Sequence, residues 1–334
     1  MKLKKRMVCL LAVLTLPLLG AVAPAATIEV LQTFDFPGVG NSTLPQKISD
    51  QGVMVGTVID VNGVEQGFFY KPRITRFSDT AFSDPNDTGQ VTRGRGINNQ
   101  RHACGEYKNG SDATFHGYIF EHPTFTNFDV AGSLDTIPLG LNNAGDFVGT
   151  AIFSDGTQPA FLNLGGTVST FAVPGAVATF AYQINLRIES IGYYVDSSGV
   201  SHGFTRDKRG NLTFPIDMPG ATGTMLLGNN DLGYGVGRYT DAAGMTHGLF
   251  YITPDQIMTY DYPGSTFTSL TGINQGGFIS GYYLDAAGIF HGIWAKLNVT
   301  ATNNLNTSNN RPTIPVQPAH LSSREMSRIW EPTL

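Results

Sequence analysis

The chain has 334 residues, 40 of them glycine, which is about 12% against a usual 7%, and only 14% are charged against a usual quarter. With 41% hydrophobic residues and 36 Phe, Tyr and Trp there is ample material for a packed core, which excludes wholesale disorder and collagen-like structure and describes a turn-rich, all-β protein.

Residues 1–26 read as a secretory signal peptide: basic Lys2, Lys4, Lys5 and Arg6, an apolar run from Val8 to Leu19, then the small residues of Ala23-Pro24-Ala25. The apolar run is too short to span a bilayer comfortably, no other stretch is long enough, and Cys9 precedes the run instead of following it as a lipoprotein cysteine would. The mature chain is expected to start at Ala26 or Thr27, in a secreted, extracellular or periplasmic protein. Losing the signal leaves 17 basic against 26 acidic residues, a net charge near −9, which argues against nucleic acid and anionic membrane surfaces as partners. Only Cys104 survives, so no intramolecular disulfide forms and stability rests on packing.

The first element beyond the signal is a strand ending in Phe34-Asp35-Phe36-Pro37-Gly38, and related endings recur at Phe128 to Gly132, Phe171 to Gly175, Ile216 to Gly220 and Tyr260 to Gly264. An Ile-Asn block follows at Ile97-Asn98, Leu141-Asn142, Ile184-Asn185 and Ile273-Asn274, with degenerate copies at Ile48-Ser49 and Gly228-Asn229, spaced 49, 44, 43, 44 and 45 residues apart. About eight residues further on each copy has a glycine and a short apolar or aromatic run, as in Gly192-Tyr193-Tyr194 and Gly281-Tyr282-Tyr283. Next come hairpin turns from Asp60 to Gly63, Asp196 to Gly199, Asp241 to Gly244 and Asp285 to Gly288, where the aspartate caps the turn. A strand carrying His-Gly closes the unit at His116, His202, His247 and His291.

Four short strands in about 45 residues make a propeller blade, and six copies predict a six-bladed β-propeller over residues 27–297. The first Pro-Gly strand precedes every Ile-Asn block and none follows the last His-Gly strand, so the strand from Ile28 to Phe36 is expected to complete the sheet of residues 265–297 and close the ring without an unpaired edge. Residues 298–334, rich in Asn, Thr, Ser and Pro, read as a disordered tail.

The pattern Phe-Asp-x-Pro-Gly, Ile-Asn-x-x-Gly, Gly-Tyr-Tyr-x-Asp-x-x-Gly and His-Gly-Phe resembles the HAF-type repeats of bacterial extracellular proteins, with glycine at 203, 248 and 292 where the family's triplet has alanine. The resemblance implies secretion and β structure and brings no catalytic residue with it.

Positions where one blade departs from the rest are the informative ones, because packing alone does not ask for the difference. Four residues before the block's Ile the copies read Leu44, Arg93, Ile137, Phe180, Thr224 and Ser269; two before it they read Gln46, Arg95, Leu139, Tyr182, Leu226 and Thr271. Arg93 and Arg95, at i and i+2 of the strand nearest the axis, share a face and are aimed at a ligand carboxylate, sulfate or phosphate in the channel. Blade two adds Arg101, His102, Cys104 and Glu106, with His102 and Cys104 on one face; blade four loses a turn glycine and gains Arg187 and Glu189. The ligand-binding candidates are therefore Arg93, Arg95, Arg101, His102, Glu106, Arg187 and Glu189. The repeated histidines are assigned to hydrogen bonds with the backbone and not to a metal, the repeated asparagines to turns, and Cys104 to inert packing. No catalytic residue, metal or cofactor is assigned.

The leading reading is a monomeric binding module that holds an acidic or neutral glycan, or a cell-surface protein, on one end face or at the channel mouth. The competing readings are a glycan-active hydrolase or lyase using Arg93, Arg95, His102 and Glu106 or Glu189, and a non-catalytic surface or matrix scaffold.

Overall fold

The computed structural model describes residues 26–37, 42–73, 80–254 and 256–299; the segment expected to be a signal peptide, up to residue 25, and the expected tail, from residue 300 on, lie outside the described residues. Its strands form six four-stranded antiparallel sheets arranged as a propeller: blade 1 from residues 42–82, blade 2 from 92–128, blade 3 from 133–171, blade 4 from 178–216, blade 5 from 223–260 and blade 6 from 268–299. The outer strand of blade 6 is the amino-terminal Ala26–Phe34, paired antiparallel with Phe290–Val299. The ring therefore closes by the strand exchange that the offset termini of the repeat predict. Among the described residues no helix is long and apolar enough to cross a membrane.

The repeat residues build this ring in definite ways. The second strand of each blade carries a glycine, Gly56, Gly105, Gly149, Gly192, Gly237 or Gly281, over the backbone of the innermost strand; at Gly192 an added Cβ would run into the carbonyl oxygen of Phe180. Third-strand residues Phe68, Tyr118, Phe161, Phe204, Leu249 and Ile293 are fully excluded from solvent and form the packing between blades. Each hairpin aspartate accepts backbone N–H bonds from its own turn, as Asp196 does from Ser198 and Val200.

Six buried threonines, absent from the repeat pattern above, stitch blade to blade. Thr43, Thr92, Thr136, Thr179, Thr224 and Thr268 each accept, through Oγ1, the backbone N–H of Phe36, Asp84, Val130, Val173, Met218 and Tyr262 at the end of the preceding outer strand. Leaving such a buried N–H unpaired costs about 1–3 kcal/mol. Asp84 belongs to a further, degenerate copy of the outer-strand ending, Phe82 to Asn86, in blade 1.

The asparagines do more than shape turns. Asn142 Nδ2 donates to the Asn185 carbonyl, Asn185 to Asn230, Asn230 to Asn274 and Asn274 to Ser49, a chain of bonds around one end of the axis. Its member in blade 5 is Asn230, not Asn229 as the repeat spacing suggests, because the segment Leu226-Leu227-Gly228-Asn229-Asn230 lacks the isoleucine that marks the block elsewhere. The aligned positions in that blade are consequently Met225 and Leu227, not Thr224 and Leu226.

The four repeated histidines bond carboxylates, not the backbone as expected. His116, His202, His247 and His291 place Nδ1 against Asp129, Asp217, Asp261 and Asp35 of the outer strands, at 2.7–2.9 Å. They place Nε2 toward the hairpin aspartates Asp112, Asp196, Asp241 and Asp285 and stack on Tyr107, Tyr194, Tyr239 and Tyr283. In blade 6 the outer carboxylate comes from the amino-terminal strand, so this clasp also locks the ring.

Burial opposes the charged form of His247 and His291, but the paired carboxylates outweigh it and raise both above the usual 6.5. Asp241 and Asp285 are held below 3.8, chiefly by the N–H groups of Met245 and Ile289. The histidine contribution to stability is present below pH 6.5 and is lost as pH rises through the raised value, while the aspartate contribution is lost as pH falls below 3.8. The difference in melting temperature between wild type and His247→Gln is therefore expected to be largest between about pH 4 and 6.5 and to shrink as pH rises beyond 6.5; a difference unchanged from pH 5 to 9 contradicts the clasp.

Candidate axial binding site

Each innermost strand carries a register irregularity at the second residue before the block, at Gln46, Arg95, Leu139, Tyr182, Leu227 and Thr271. Bulges re-aim side chains, and here they turn the polar ones inward. The next position is glycine in four blades, Gly96, Gly140, Gly228 and Gly272, where the neighbouring innermost strand passes too close for a Cβ. The two exceptions are Lys47 in blade 1 and Gln183 in blade 4, opposite each other across the ring.

Contacts between non-adjacent blades run through the axis. Lys47 Nζ donates to the Leu227 carbonyl of blade 5 at 2.9 Å and lies 5.4 Å from the Tyr182 ring centroid of blade 4. Lys47 thus crosses the channel; it is 4% exposed, and burial lowers its pKa to about 7. Arg95 of blade 2 senses the hydroxyls of Tyr182 and Tyr282, and although burial works against its charge, Glu106 raises its pKa overall.

The wall above this plug is set by six cross-strand pairs at one ladder position: Leu44 with Thr57, Arg93 with Glu106, Ile137 with Thr150, Phe180 with Tyr193, Met225 with Arg238 and Ser269 with Tyr282. Blade 4 supplies an aromatic surface, with Phe180 stacked on Tyr193 at 4.6 Å and Tyr182 tilted against Tyr193 at 5.6 Å. Arg238 Nη1 donates to Tyr282 Oη at 3.2 Å.

Of the sequence candidates, the structure brings Arg93, Arg95 and Glu106 together. Glu106, its side chain 1% exposed, takes Arg95 at 2.6 Å and Arg93 at 3.5 Å, and Arg93 also pairs with Glu65 of blade 1 at 2.5 Å. The two arginines expected to await a ligand anion already hold internal carboxylates. Arg187 and Glu189 pair with each other at 2.7 Å in the blade 4 turn, where Asn185 also binds Glu189. No hydrogen bond or ion pair among the described residues joins Arg187 or Glu189 to Arg93, Arg95 or Glu106. Arg101 adopts φ 64° in its turn with its guanidinium 5.5 Å from the Phe69 ring, and His102 pairs with Glu121 at 3.1 Å. Cys104 is fully buried among Val130, Leu141, Phe147 and Phe161, where burial pushes its thiol up to about 12. It makes no nucleophile pair with His102.

Tyr193, Arg238 and Tyr282 escape the sequence reading, which compares all six blades position by position along the innermost strand only and takes Glu106 from the second strand of blade 2 alone. The residue after each second-strand glycine varies just as much, as Thr57, Glu106, Thr150, Tyr193, Arg238 and Tyr282. That variation was the available signal.

At the asparagine end, side chains follow one another around the mouth: Asn99 to Asp50, Asn143 to Asn99, Asp231 to Leu186, Gln275 to Asp231 and Asp50 to Gln275, each accepting a backbone N–H of the neighbouring blade. They leave a pit of about 50 Å³, space on the scale of a water or two.

No protein-family model and no curated protein matches the chain. Solved structures do. AofleA from Arthrobotrys oligospora aligns with TM-score 0.50 at 9% identity, over 85% of this chain and 92% of that one. TolB from Acinetobacter baumannii aligns with TM-score 0.51 at 9% identity, over 75% of this chain and 65% of that one. A fucose-specific lectin from Aleuria aurantia aligns with TM-score 0.45 at 11% identity, over 76% and 96%. At such identities the likeness is one of fold alone, and the fold is a six-bladed β-propeller.

Proposed function

We propose that the protein is a secreted, HAF-type repeat propeller that binds a saccharide at the channel mouth opposite the asparagine ring. The observation that carries this reading is the convergence, from blades 4, 5 and 6, of Phe180, Tyr182 and Tyr193 with Arg238 and the hydroxyl of the buried Tyr282: flat aromatic faces for sugar C–H surfaces beside polar groups for hydroxyls. The state of the carboxylates favours binding over hydrolysis. Glycoside hydrolysis needs one carboxyl group free to give up a proton and a second free to act as base or nucleophile. Glu65, Glu106 and Glu189 are each held by arginine.

Calorimetric titration of the protein with acidic and neutral oligosaccharides tests the proposal. Wild type is expected to bind at least one, Tyr182→Ala to lose about tenfold or more, as removal of one stacking aromatic predicts, and Arg187→Ala, in the blade 4 turn, to bind as wild type. Absence of binding to every oligosaccharide, or equal binding by Tyr182→Ala, overturns the assignment.

A further inference from the structure

We infer that the cleft between blades 4 and 5 is an oxyanion subsite, in which Arg238 reads a carboxylate or sulfate group of an acidic saccharide; the inference rests on the saccharide-binding reading above. Three observations carry it. The cleft is a cavity of about 220 Å³ lined by Ser201 of blade 4 and by Thr222, Gly223, Met225, Arg238 and Tyr239 of blade 5. This is room for one charged group or a sugar ring, and less than drug-sized ligands require.

Arg238 also differs from the other arginines of the channel. Arg93 and Arg95 are held by Glu65 and Glu106, whereas Arg238 makes no ion pair among the described residues. Its hydrogen-bond partners are the Tyr282 hydroxyl at 3.2 Å and the sulfur of Met225 at 3.4 Å, a weak acceptor. A guanidinium presents five N–H donors in a fork matched to two oxygens of one anion, so most of its capacity is left for a ligand.

The third observation is what surrounds that charge. The guanidinium stands 5.6 Å from the Phe267 ring and within electrostatic reach of the Tyr182 and Tyr193 hydroxyls, neutral groups that hold it in place without cancelling it. Thr222 is already committed to the carbonyls of Thr240 and Asp241. Ser201 lines the cleft and brings a blade 4 hydroxyl to it.

The test is titration of the protein with a uronic-acid oligosaccharide, a sulfated oligosaccharide, their neutral parent and inorganic sulfate, in wild type, Arg238→Gln and Arg238→Lys, with melting temperature as the control for folding. Wild type is expected to prefer one acidic oligosaccharide over the neutral parent by at least tenfold, and which one it prefers separates carboxylate from sulfate. Arg238→Gln should abolish the preference, weakening the acidic oligosaccharide at least tenfold more than the neutral parent, and Arg238→Lys should retain part of it, because lysine keeps the charge and loses the fork. Equal wild-type affinity for acidic and neutral sugars, or a preference that survives Arg238→Gln, overturns the subsite and leaves saccharide binding standing. Inorganic sulfate bound through Arg238 with no oligosaccharide bound keeps the subsite and overturns the saccharide reading. No binding of any probe overturns both.

Discussion

Removing residues 26–36 is expected to abolish cooperative unfolding of the whole ring. The deleted strand supplies eight register pairs to Phe290–Val299, the Asp35 partner of His291, and Phe34 and Phe36, both buried against Phe68 and Tyr70. Large-to-small changes at one buried phenylalanine alone cost about 3–5 kcal/mol, and a domain's whole stability is about 5–15 kcal/mol. Loss of the strand also bares the edge of Phe290–Val299, an invitation to aggregate. Because Ala26 pairs with Val299, a circular permutant that joins the two by a short hairpin turn and opens the chain near residue 38 should fold and melt as wild type does. Circular dichroism melts read both variants. Unchanged cooperative melting of the deletion, or failure of the permutant to fold, contradicts closure by this strand.

Lys47→Met is expected to stabilise the protein. The ammonium of Lys47 lies inside the channel with one carbonyl partner, and burial brings its pKa from 10.5 to about 7. At about 1.4 kcal/mol per pH unit, keeping it charged at or below neutral pH costs the fold roughly 4–5 kcal/mol. Between pH 7 and 10.5 the unfolded state binds the extra proton, so this contribution to wild-type stability rises with pH across that window. Methionine has a similar volume and leaves only the Leu227 carbonyl without its donor. A gain of about 1–4 kcal/mol at pH 6, vanishing toward pH 10, is the predicted result of denaturant titrations. Destabilisation at pH 6, or a gain independent of pH, contradicts the placement of an under-solvated ammonium on the axis.

Most of the fold was legible because a period near 45 residues, turn glycines and the offset termini are local signals that repeat. The threonine stitches were also in plain sight, six residues after the outer-strand position they bind in four of the blades, and were missed because threonine carries no turn or charge signature. The slip at Asn229 has the same root: once isoleucine is missing, only the capped turn itself fixes the register at Asn230. The site was legible in part. Arg93, Arg95 and Glu106 stood out as irregular in one blade, but the partner that occupies Arg93, Glu65, comes from the preceding blade, and nothing local in the sequence announces a contact made across 28 residues. Tyr193, Arg238 and Tyr282 converge only once the ring is closed.

The most direct test of ligand binding on the axis is a crystal structure of the protein grown with the oligosaccharide that binds it most tightly. Ligand packed on Tyr182 and Tyr193 beside Arg238 is the predicted result. Ligand confined to the pit at the asparagine end, or to the outer strands of the blades with the channel wall bare, contradicts it.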